Sequence, residues 1–329
     1  MAHPFTRRHI LQSGTALAAA QALPGWAQAK PVLRLAAVFT NADIRAEMVR
    51  MLAKSVEADA TIEPFLGGTL FRQGTELVAL QRDNLELGNI SPQDITKQLP
   101  AWSILTSAYL FRDANHLTAF FAIDAGAEMK QMADDQLKVK ILAPVFFGTR
   151  QVGLKAKKKI STPADLAGVK LRMPPGEAWQ MLGRSLGASP TAMAYAETYM
   201  GLQTGAVDGQ DNPLPNVQNM KFFEVMSQIV LTSHLVAFDV LTMNLKAWNA
   251  LGPARQKSFQ AAVDAAAAWS NAEHLKREAE LVADFRKQGL DVYAPDIAAF
   301  RAHAQKVYLA SDEAKTWPKG MLDRVNAMK

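Results

Sequence analysis

Strand-like and helix-like hydrophobic patterns alternate along this chain, and the alternation restricts the fold more than any other feature of the sequence. Apolar runs typical of buried strands are separated by segments whose apolar residues recur every three or four positions. In the early part of the chain these patterns fall, in order, at residues 33–39, 44–56, 61–66, 73–83 and 85–90. Because strand–helix alternation is typical of a parallel sheet with helices on its faces, the sequence predicts an α/β fold.

The alternation returns in the later part of the chain. Strand patterns and helical patterns occur there at residues 138–147, 152–156, 169–172, 177–186, 195–203, 229–231 and 238–243. One long helical pattern then runs from Pro253 to the residue before Gly289. Because 329 residues exceed the usual size of a single core, we expect about two domains.

Residues 1–29 have the three parts of a secretory signal. Arg7 and Arg8 precede a weakly hydrophobic stretch at 13–23, and residues 27–29 form an Ala-x-Ala cleavage site. The paired arginines favour a twin-arginine export route. An amphipathic helix or membrane anchor is the alternative, but the apolar run is shorter than the roughly 20 residues that span a bilayer. We expect cleavage after this segment and a soluble periplasmic protein.

Composition and missing motifs narrow the classes of function. The chain has no cysteine, which excludes disulfides and thiolate chemistry. Its net charge is +5, but the densest basic run, at 157–159, is not interleaved with aromatic residues, so no nucleic-acid partner is expected. The sequence contains no glycine-rich phosphate loop, no Gly-x-Ser-x-Gly nucleophile motif and no histidine cluster. Asp208, Asp211 and Asp239 are candidate acid–base groups, but no nucleophile accompanies them, so we expect no enzyme, no metal and no cofactor.

A series of motifs follows in fixed order between residues 148 and 251. The series consists of GTRQ at 148–151, PADLAGVKLRMP at 163–174, LGASPTAMAYAETY at 186–199, LQTGAVDGQDNP at 202–213, FFEV at 222–225 and TSH at 232–234. In this order it resembles the DctP-type solute-binding proteins of TRAP (tripartite ATP-independent periplasmic) transporters. The resemblance extends over nearly the whole chain after the predicted signal and is sharpest over about a third of it.

The resemblance implies a two-lobed clamp of the type II periplasmic-binding-protein kind, with hinge strands and a long interlobe helix. We place the N-terminal lobe at 30–150 plus about 238–270, and the C-terminal lobe at 151–237 plus part of 271–329. The implied partners are a small carboxylate ligand and the membrane subunits of a TRAP transporter. A monomer is favoured over a dimer, although the long helix offers a surface for dimerisation.

The resemblance also assigns binding roles in the second lobe. Arg172, which ends the Gly-x-Lys-x-Arg pattern, matches the arginine that anchors the ligand carboxylate, and a guanidinium fork suits that partner. Arg150 matches a second arginine, Asn212 an asparagine that donates its amide, and Tyr195 an aromatic residue against the ligand. Each has a structural alternative, namely an ion pair with Asp165 for Arg172, a surface charge for Arg150, a turn for Asn212 and core packing for Tyr195.

The first lobe offers fewer candidates. Phe39 is the last residue of its first strand pattern, Ser91 follows its third, and Phe238 is a further aromatic candidate for the ligand site. No polar set for sugar hydroxyls is recognisable there, so we expect a compact or partly apolar organic acid rather than a sugar acid. A C4-dicarboxylate is the family default, and an aromatic or α-keto monocarboxylate is the alternative. A ligand-binding sensor subunit on the same fold is a further alternative.

Overall fold

One mixed β-sheet of nine strands runs through the computed structural model, which describes residues 30–328. The predicted export signal at 1–29 lies outside the described residues. The strands are β1 (Val32–Ala37), β2 (Thr61–Phe65), β3 (Leu87–Ile90), β4 (Val139–Leu154), β5 (Lys170–Met173), β6 (Ser189–Ala192), β7 (Gly209–Pro213), β8 (Gln228–Asn244) and β9 (Asp291–Tyr293). Their spatial order is β2-β1-β3-β8-β4-β7-β5-β6, and β9 pairs with β8.

The described residues also form eleven α-helices. These are α1 (Ile44–Ser55), α2 (Glu76–Gln81), α3 (Pro92–Ile95), α4 (Ala114–Ala122), α5 (Asp124–Leu137), α6 (Glu177–Ser185), α7 (Thr198–Thr204), α8 (Leu214–Asn219), α9 (Leu245–Lys287), α10 (Ile297–Leu309) and α11 (Met321–Ala327). Within residues 30–328, none of these helices has both the length and the apolar character that crossing a membrane requires. The predicted α/β class is confirmed by this mixture of elements.

Two long antiparallel strands, β4 and β8, connect the two halves of the sheet. At one end they pair with each other beside β3, which leads on to β1 and β2; at the other end they adjoin β7 and β9. Register shifts interrupt the β4–β8 pairing near Gly148 and again between Arg150 and Val152. We call the β1–β3 side the first half and the β5–β7 side the second half, and both halves share these two strands.

The sequence patterns divided each of these long strands into two, and the structure joins them. The predicted strands at 138–147 and 152–156 are both parts of β4, and those at 229–231 and 238–243 are both parts of β8. The apolar pattern breaks where polar residues occupy the strand interior, at Arg150 in β4 and at Thr232 and His234 in β8. These side chains are buried, because the strands pass between the two halves at this point.

Helix α9 crosses both halves, as the predicted interlobe helix requires. It begins earlier than predicted and bends at Gly252, whose φ of 73° and ψ of 163° are not helical. Pro253 then starts the straight segment, where its missing N–H does no harm. Phe259 packs in an apolar cluster of the first half, whereas Phe285 packs in a cluster of the second half.

Four buried apolar clusters support the sheet, two in each half. The clusters of the first half surround Trp102 and Met48, and those of the second half surround Leu171 and Phe222. Burial of apolar surface on this scale is the main stabilising contribution to such a fold. Each half therefore has its own core, while the exact residues at which the lobes divide stay a prediction.

Candidate functional site

A cavity lies where the carboxyl ends of the strands of both halves meet. Ligand sites in α/β proteins typically form at such strand ends. The first-half wall consists of Arg45, Gln73, Glu76, Asn89, Ser91, Asp94 and Asp239. The second-half wall consists of Arg150, Arg172, Trp179, Tyr195, Asn212 and Asn216. Val38, Phe39, Ile90, Phe147 and Pro174 complete the lining with apolar surface.

Arg172 lies at the end of β5 with no exposed surface. Its Nε donates to the Met193 carbonyl at 2.9 Å, but Nη1 and Nη2 have no hydrogen-bond partner within residues 30–328. Burial lowers the pKa of Arg172 to about 10, so the side chain stays protonated at neutral pH. The alternative ion pair with Asp165 does not form, because Asp165 accepts from the backbone of Ser161 and Thr162. A buried cation in this state needs an anionic partner.

Arg150 also lines the cavity, but its charge is compensated within the protein. Its Nε donates to Asp211 Oδ2 at 2.6 Å and its Nη2 donates to Asp211 Oδ1 at 2.9 Å. His234 Nε2 lies 3.2 Å from the same carboxylate. Burial acts to raise the pKa of Asp211, but Arg150 and His234 outweigh it and hold that pKa well below the usual range. Arg150 therefore resembles a structural cation more than a free anchor.

The other predicted residues of the second half lie at the cavity with partners of their own. Asn212 Nδ2 donates to Gln210 Oε1 at 2.6 Å, which engages one of its two amide hydrogens. The Tyr195 ring packs edge-on against Phe222 at 5.9 Å, and its backbone N–H donates across the cavity to Gln73 Oε1 at 2.8 Å. That hydrogen bond joins the two walls. Asn216, which was not predicted, lines the same wall, and its Oδ1 is buried without a partner.

The first-half wall is built around Arg45. Its guanidinium lies between the rings of Phe39 and Phe147, at 4.5 Å and 4.2 Å from their centroids. Asp43, the N-cap of α1, accepts from Arg45 Nε and Nη2 at 2.9 Å and 2.8 Å. Arg45 Nη1 donates to Asp239 Oδ2 at 2.6 Å. The two aromatic faces are therefore occupied by a cation of the protein itself.

Three further acids face the cavity from the same wall. Burial raises the pKa of Asp239 to about 6, even though Arg45 and Asn89 both donate to its Oδ2. Burial also raises the pKa of Glu76 to about 7, and its Oε1 has no hydrogen-bond partner. Asp94 forms an ion pair with Lys97 at 2.7 Å. No group of three or more histidine or acidic side chains within residues 30–328 has the geometry to hold a metal ion.

Of the predicted first-half residues, Phe39 and Ser91 line the cavity and Phe238 does not. Phe238 packs against Phe111 and Phe121, at 6.1 Å and 5.6 Å between ring centroids. Consecutive residues of a strand point to opposite faces, so Asp239 faces the cavity and Phe238 faces the core. The prediction that Phe238 binds ligand is therefore not supported by its position.

The sequence analysis missed most of the polar first-half wall. Arg45, Glu76 and Asn89 were not proposed, and Asp239 was considered only as a catalytic acid. Two of these residues could have been found from the sequence, because Asn89 and Asp239 are polar residues inside otherwise apolar strands. The first half nevertheless lines the cavity with polar side chains that were not recognisable in the sequence.

Comparisons with known proteins agree with this geometry. The family model DctP, described as bacterial extracellular solute-binding protein, family 7, matches residues 39–314. A TRAP periplasmic solute-binding protein of Roseobacter denitrificans, crystallised with bound 3-deoxy-D-manno-oct-2-ulosonic acid (KDO), is similar in structure. It is 40% identical with a TM-score of 0.89, over 91% of this chain and 99% of that one. The predicted type of clamp is confirmed by this similarity.

Two curated relatives from Vibrio cholerae are similar in sequence. The sialic acid-binding periplasmic protein SiaP is 31% identical over 65% of this chain and 66% of its own length. The C4-dicarboxylate-binding periplasmic protein DctP is 29% identical over 68% of this chain and 67% of its own length. Both relatives are solute-binding proteins rather than enzymes, and they bind different acids.

Proposed function

The chain belongs to the DctP family of bacterial extracellular solute-binding proteins, family 7, and from that premise we propose that it captures a hydroxylated monocarboxylic acid, a sugar acid, in the periplasm. It delivers this ligand to the membrane subunits of a TRAP transporter and carries out no catalysis. The ligand carboxylate binds Arg172, and the ligand hydroxyls bind the first-half wall.

One observation carries the proposal, namely the set of buried polar atoms at the cavity that lack partners. Arg172 contributes two such donors, Nη1 and Nη2, and Glu76 Oε1, Asn89 Oδ1 and Asn216 Oδ1 are three such acceptors. Buried polar groups in folded proteins are nearly always hydrogen-bonded, so a ligand is the natural source of the missing partners. Two parallel donors suit one carboxylate, and three acceptors suit hydroxyl or amide groups.

The distribution of charge argues against a C4-dicarboxylate. Arg45 and Arg150 are each paired with aspartate, so among the described residues of the lining Arg172 is the arginine without an acidic partner. A second ligand carboxylate would approach Glu76 and Asp239. At 4 Å and an effective dielectric constant of 20, two like charges repel by about 4 kcal/mol.

The aromatic alternative is also disfavoured. Phe39 and Phe147 are the rings of the first-half lining, and both contact the Arg45 guanidinium. An aromatic ligand would have to displace that contact in order to stack on either ring. A hydroxylated acid needs no such rearrangement.

Capture requires that the two lobes close around the ligand. The Tyr195–Gln73 hydrogen bond and the 3.5 Å contact from Asn219 to Asp43 already join the two halves beside the cavity. A ligand that bridges both walls stabilises this closed arrangement over an open one. A sensor subunit would use the same closure, so uptake of the ligand by cells with and without the membrane subunits separates the two roles.

A thermal-shift screen tests the ligand class. The panel contains KDO, N-acetylneuraminate, D-glucuronate and D-galactonate, set against succinate, L-malate, galactarate and phenylpyruvate. At 100 times its dissociation constant a ligand stabilises the fold by about 2.7 kcal/mol, which a melting curve detects. We expect stabilisation by members of the first group. Stabilisation by succinate or L-malate with no response to the first group would overturn the sugar-acid proposal.

A further inference from the structure

We propose that Glu76 is a specificity-determining residue, which accepts a ligand hydroxyl group and excludes ligands that carry a second carboxylate. This inference rests on the proposed function, because it concerns the same cavity. It assigns a role to a side chain that the sequence motifs did not single out.

The position of Glu76 is fixed by the turn before α2. Its Oε2 accepts from the backbone N–H of Gly74 at 2.7 Å, and the Gly74 carbonyl accepts from Lys97 Nζ at 3.1 Å. Gly74 has a φ of +87°, and a Cβ there would lie 2.8 Å from Lys97 Nζ and 3.0 Å from Asp94 Oδ1. Only glycine fits this turn without displacing its neighbours. The turn therefore holds one oxygen of Glu76 and leaves Oε1 at the cavity.

Among the described residues, Glu76 differs from the other two acids of its wall in forming no ion pair. Asp94 pairs with Lys97 at 2.7 Å, and Asp239 pairs with Arg45 at 2.6 Å. Within residues 30–328 no such ion pair involves Glu76, although its side chain is 98% buried and only Oε2 has a partner. A buried carboxylate oxygen that lacks a partner at a cavity is a good acceptor for a hydrogen bond from a hydroxyl group, and it repels another anion.

The opposite wall has the complementary feature. Arg172 presents two unpaired donors to the cavity, and Glu76 presents one unpaired acceptor. A ligand with a carboxylate at one end and a hydroxyl at the other satisfies both residues. A ligand with a carboxylate at each end satisfies Arg172 and leaves two anions facing each other.

The ionised form of Glu76 has the charge that this role requires. Burial, with a further contribution from Asp94, raises the pKa of Glu76 to about 7. Above that pH the carboxylate is charged, and it both strengthens a hydrogen bond from a hydroxyl and repels a dianion. Binding experiments at pH 8 therefore examine the selective form.

The experiment compares two probes that differ at a single carbon. D-Galactonate ends in a hydroxymethyl group at C6, and galactarate has a carboxylate in that place. Calorimetry at pH 8 measures both on the wild-type protein and on Glu76→Gln, with KDO as a second monocarboxylate. We expect Glu76→Gln to weaken the monocarboxylates roughly tenfold, as the loss of a charge-assisted hydrogen bond predicts, and to bind galactarate at least tenfold better than wild type does.

Two further variants distinguish an effect of the Glu76 charge from a general effect of changing a carboxylate on the fold. Glu76→Asp keeps the charge and shortens the reach, so it should lose monocarboxylate affinity and still reject galactarate. Asp134→Asn is the matched control, because Asp134 is a partly buried carboxylate with one buried oxygen that lacks a partner among the described residues, outside the cavity and paired with Lys140. It should leave both affinities unchanged.

The outcomes distinguish this inference from the proposal beneath it. If no monocarboxylate of the panel binds the wild-type protein, the sugar-acid function itself fails. If a monocarboxylate binds and Glu76→Gln changes neither its affinity nor that of galactarate, the function stands and the role of Glu76 is wrong. Gain of galactarate binding in Glu76→Gln alone, with Glu76→Asp still selective, supports the role.

Discussion

The two walls of the cavity each contain a compensated arginine of the same design. In the second half, Arg150 lies 4.7 Å from the Trp179 ring centroid, and Asp211 accepts from its Nε and Nη2. In the first half, Arg45 lies between two phenylalanine rings, and Asp43 accepts from its Nε and Nη2. Contact with at least one aromatic face and a two-point aspartate contact stabilise each of these cations without help from a ligand.

The walls differ in the sign of the charged side chain that has no ion-pair partner within the protein. Among residues 30–328, the second half has a cation that forms no ion pair, Arg172, and the first half has an acid that forms none, Glu76. This difference gives the cavity a direction, because a carboxylate is attracted to one wall and a hydroxyl to the other. The comparison also separates arginines that hold the fold from the arginine that holds a ligand, and the following experiments test that separation.

Replacement of Arg172 should have the largest effect on binding. In Arg172→Met the ligand carboxylate loses its partner, and we expect affinity for any ligand of the panel to fall roughly 1000-fold, in line with the loss of one member of a buried charge pair. The unliganded variant should be at least as stable as wild type, because the substitution removes a buried charge that has no internal partner. Calorimetry measures the first quantity and urea denaturation the second.

Arg324→Ala is the control for that experiment, since Arg324 is an exposed arginine paired with Glu128. It should change neither quantity appreciably. Unchanged affinity in Arg172→Met would show that the anchor has been assigned to the wrong residue.

Replacement of Arg150 should have the opposite pattern. In Arg150→Met the buried Asp211 loses its two-point partner, and we expect the free energy of unfolding to fall by about 3 kcal/mol. His234 limits the loss, because it lies 3.2 Å from Asp211 and can take up a proton. Urea denaturation without ligand measures the effect. A stable Arg150→Met that has lost only ligand binding would erase the distinction between Arg150 and Arg172.

The pH dependence of stability should be the smallest effect. Since the pKa of Glu76 is raised from 4.5 to about 7, the folded state retains a proton that the unfolded state loses. The free energy of unfolding should therefore fall as pH rises from about 4.5 to 7. Asp239 and Glu278 act in the same direction, because burial raises the pKa of Asp239 to about 6 and that of Glu278 to about 7.

The comparison of wild type with Glu76→Gln isolates the part due to Glu76. The difference between their unfolding free energies should change by about 2 kcal/mol across that pH window. Thermal or urea denaturation of the unliganded proteins at pH 5 and pH 8 measures it. A difference that does not vary with pH would show that Glu76 titrates at an ordinary value.

The second-half wall was largely predictable from the sequence and the first-half wall was not, because only the second-half residues lie in contiguous motifs. Arg172, Asn212 and Tyr195 lie in short contiguous motifs whose order is visible in the sequence. Arg45 and Glu76 lie in helices whose apolar pattern says only which face is buried. Their polar side chains reach the cavity because of how those helices begin, and periodicity does not report that.

The alternation of side chains along β8 shows how an error of one residue changes the predicted site. Phe238 and Asp239 are neighbours on β8, and the sequence analysis placed the aromatic residue in the cavity. Reversal of the alternation by one position exchanges the two residues between cavity and core. Which face of a strand lines the cavity depends on what packs against each side. The sequence pattern alone therefore did not decide whether Phe238 or Asp239 faces the cavity.

The sequence by itself determined the α/β class, the long helix and the strand that ends in Arg172, because periodicity and contiguous motifs are local properties of the chain. Tertiary structure alone decided which arginines are compensated. The partner of Arg150 is 61 residues away, and Asp239 is 194 residues away from Arg45. An ion pair depends on two side chains meeting within a few ångströms, and the pairing of β4 with β7 brings Arg150 and Asp211 to that distance.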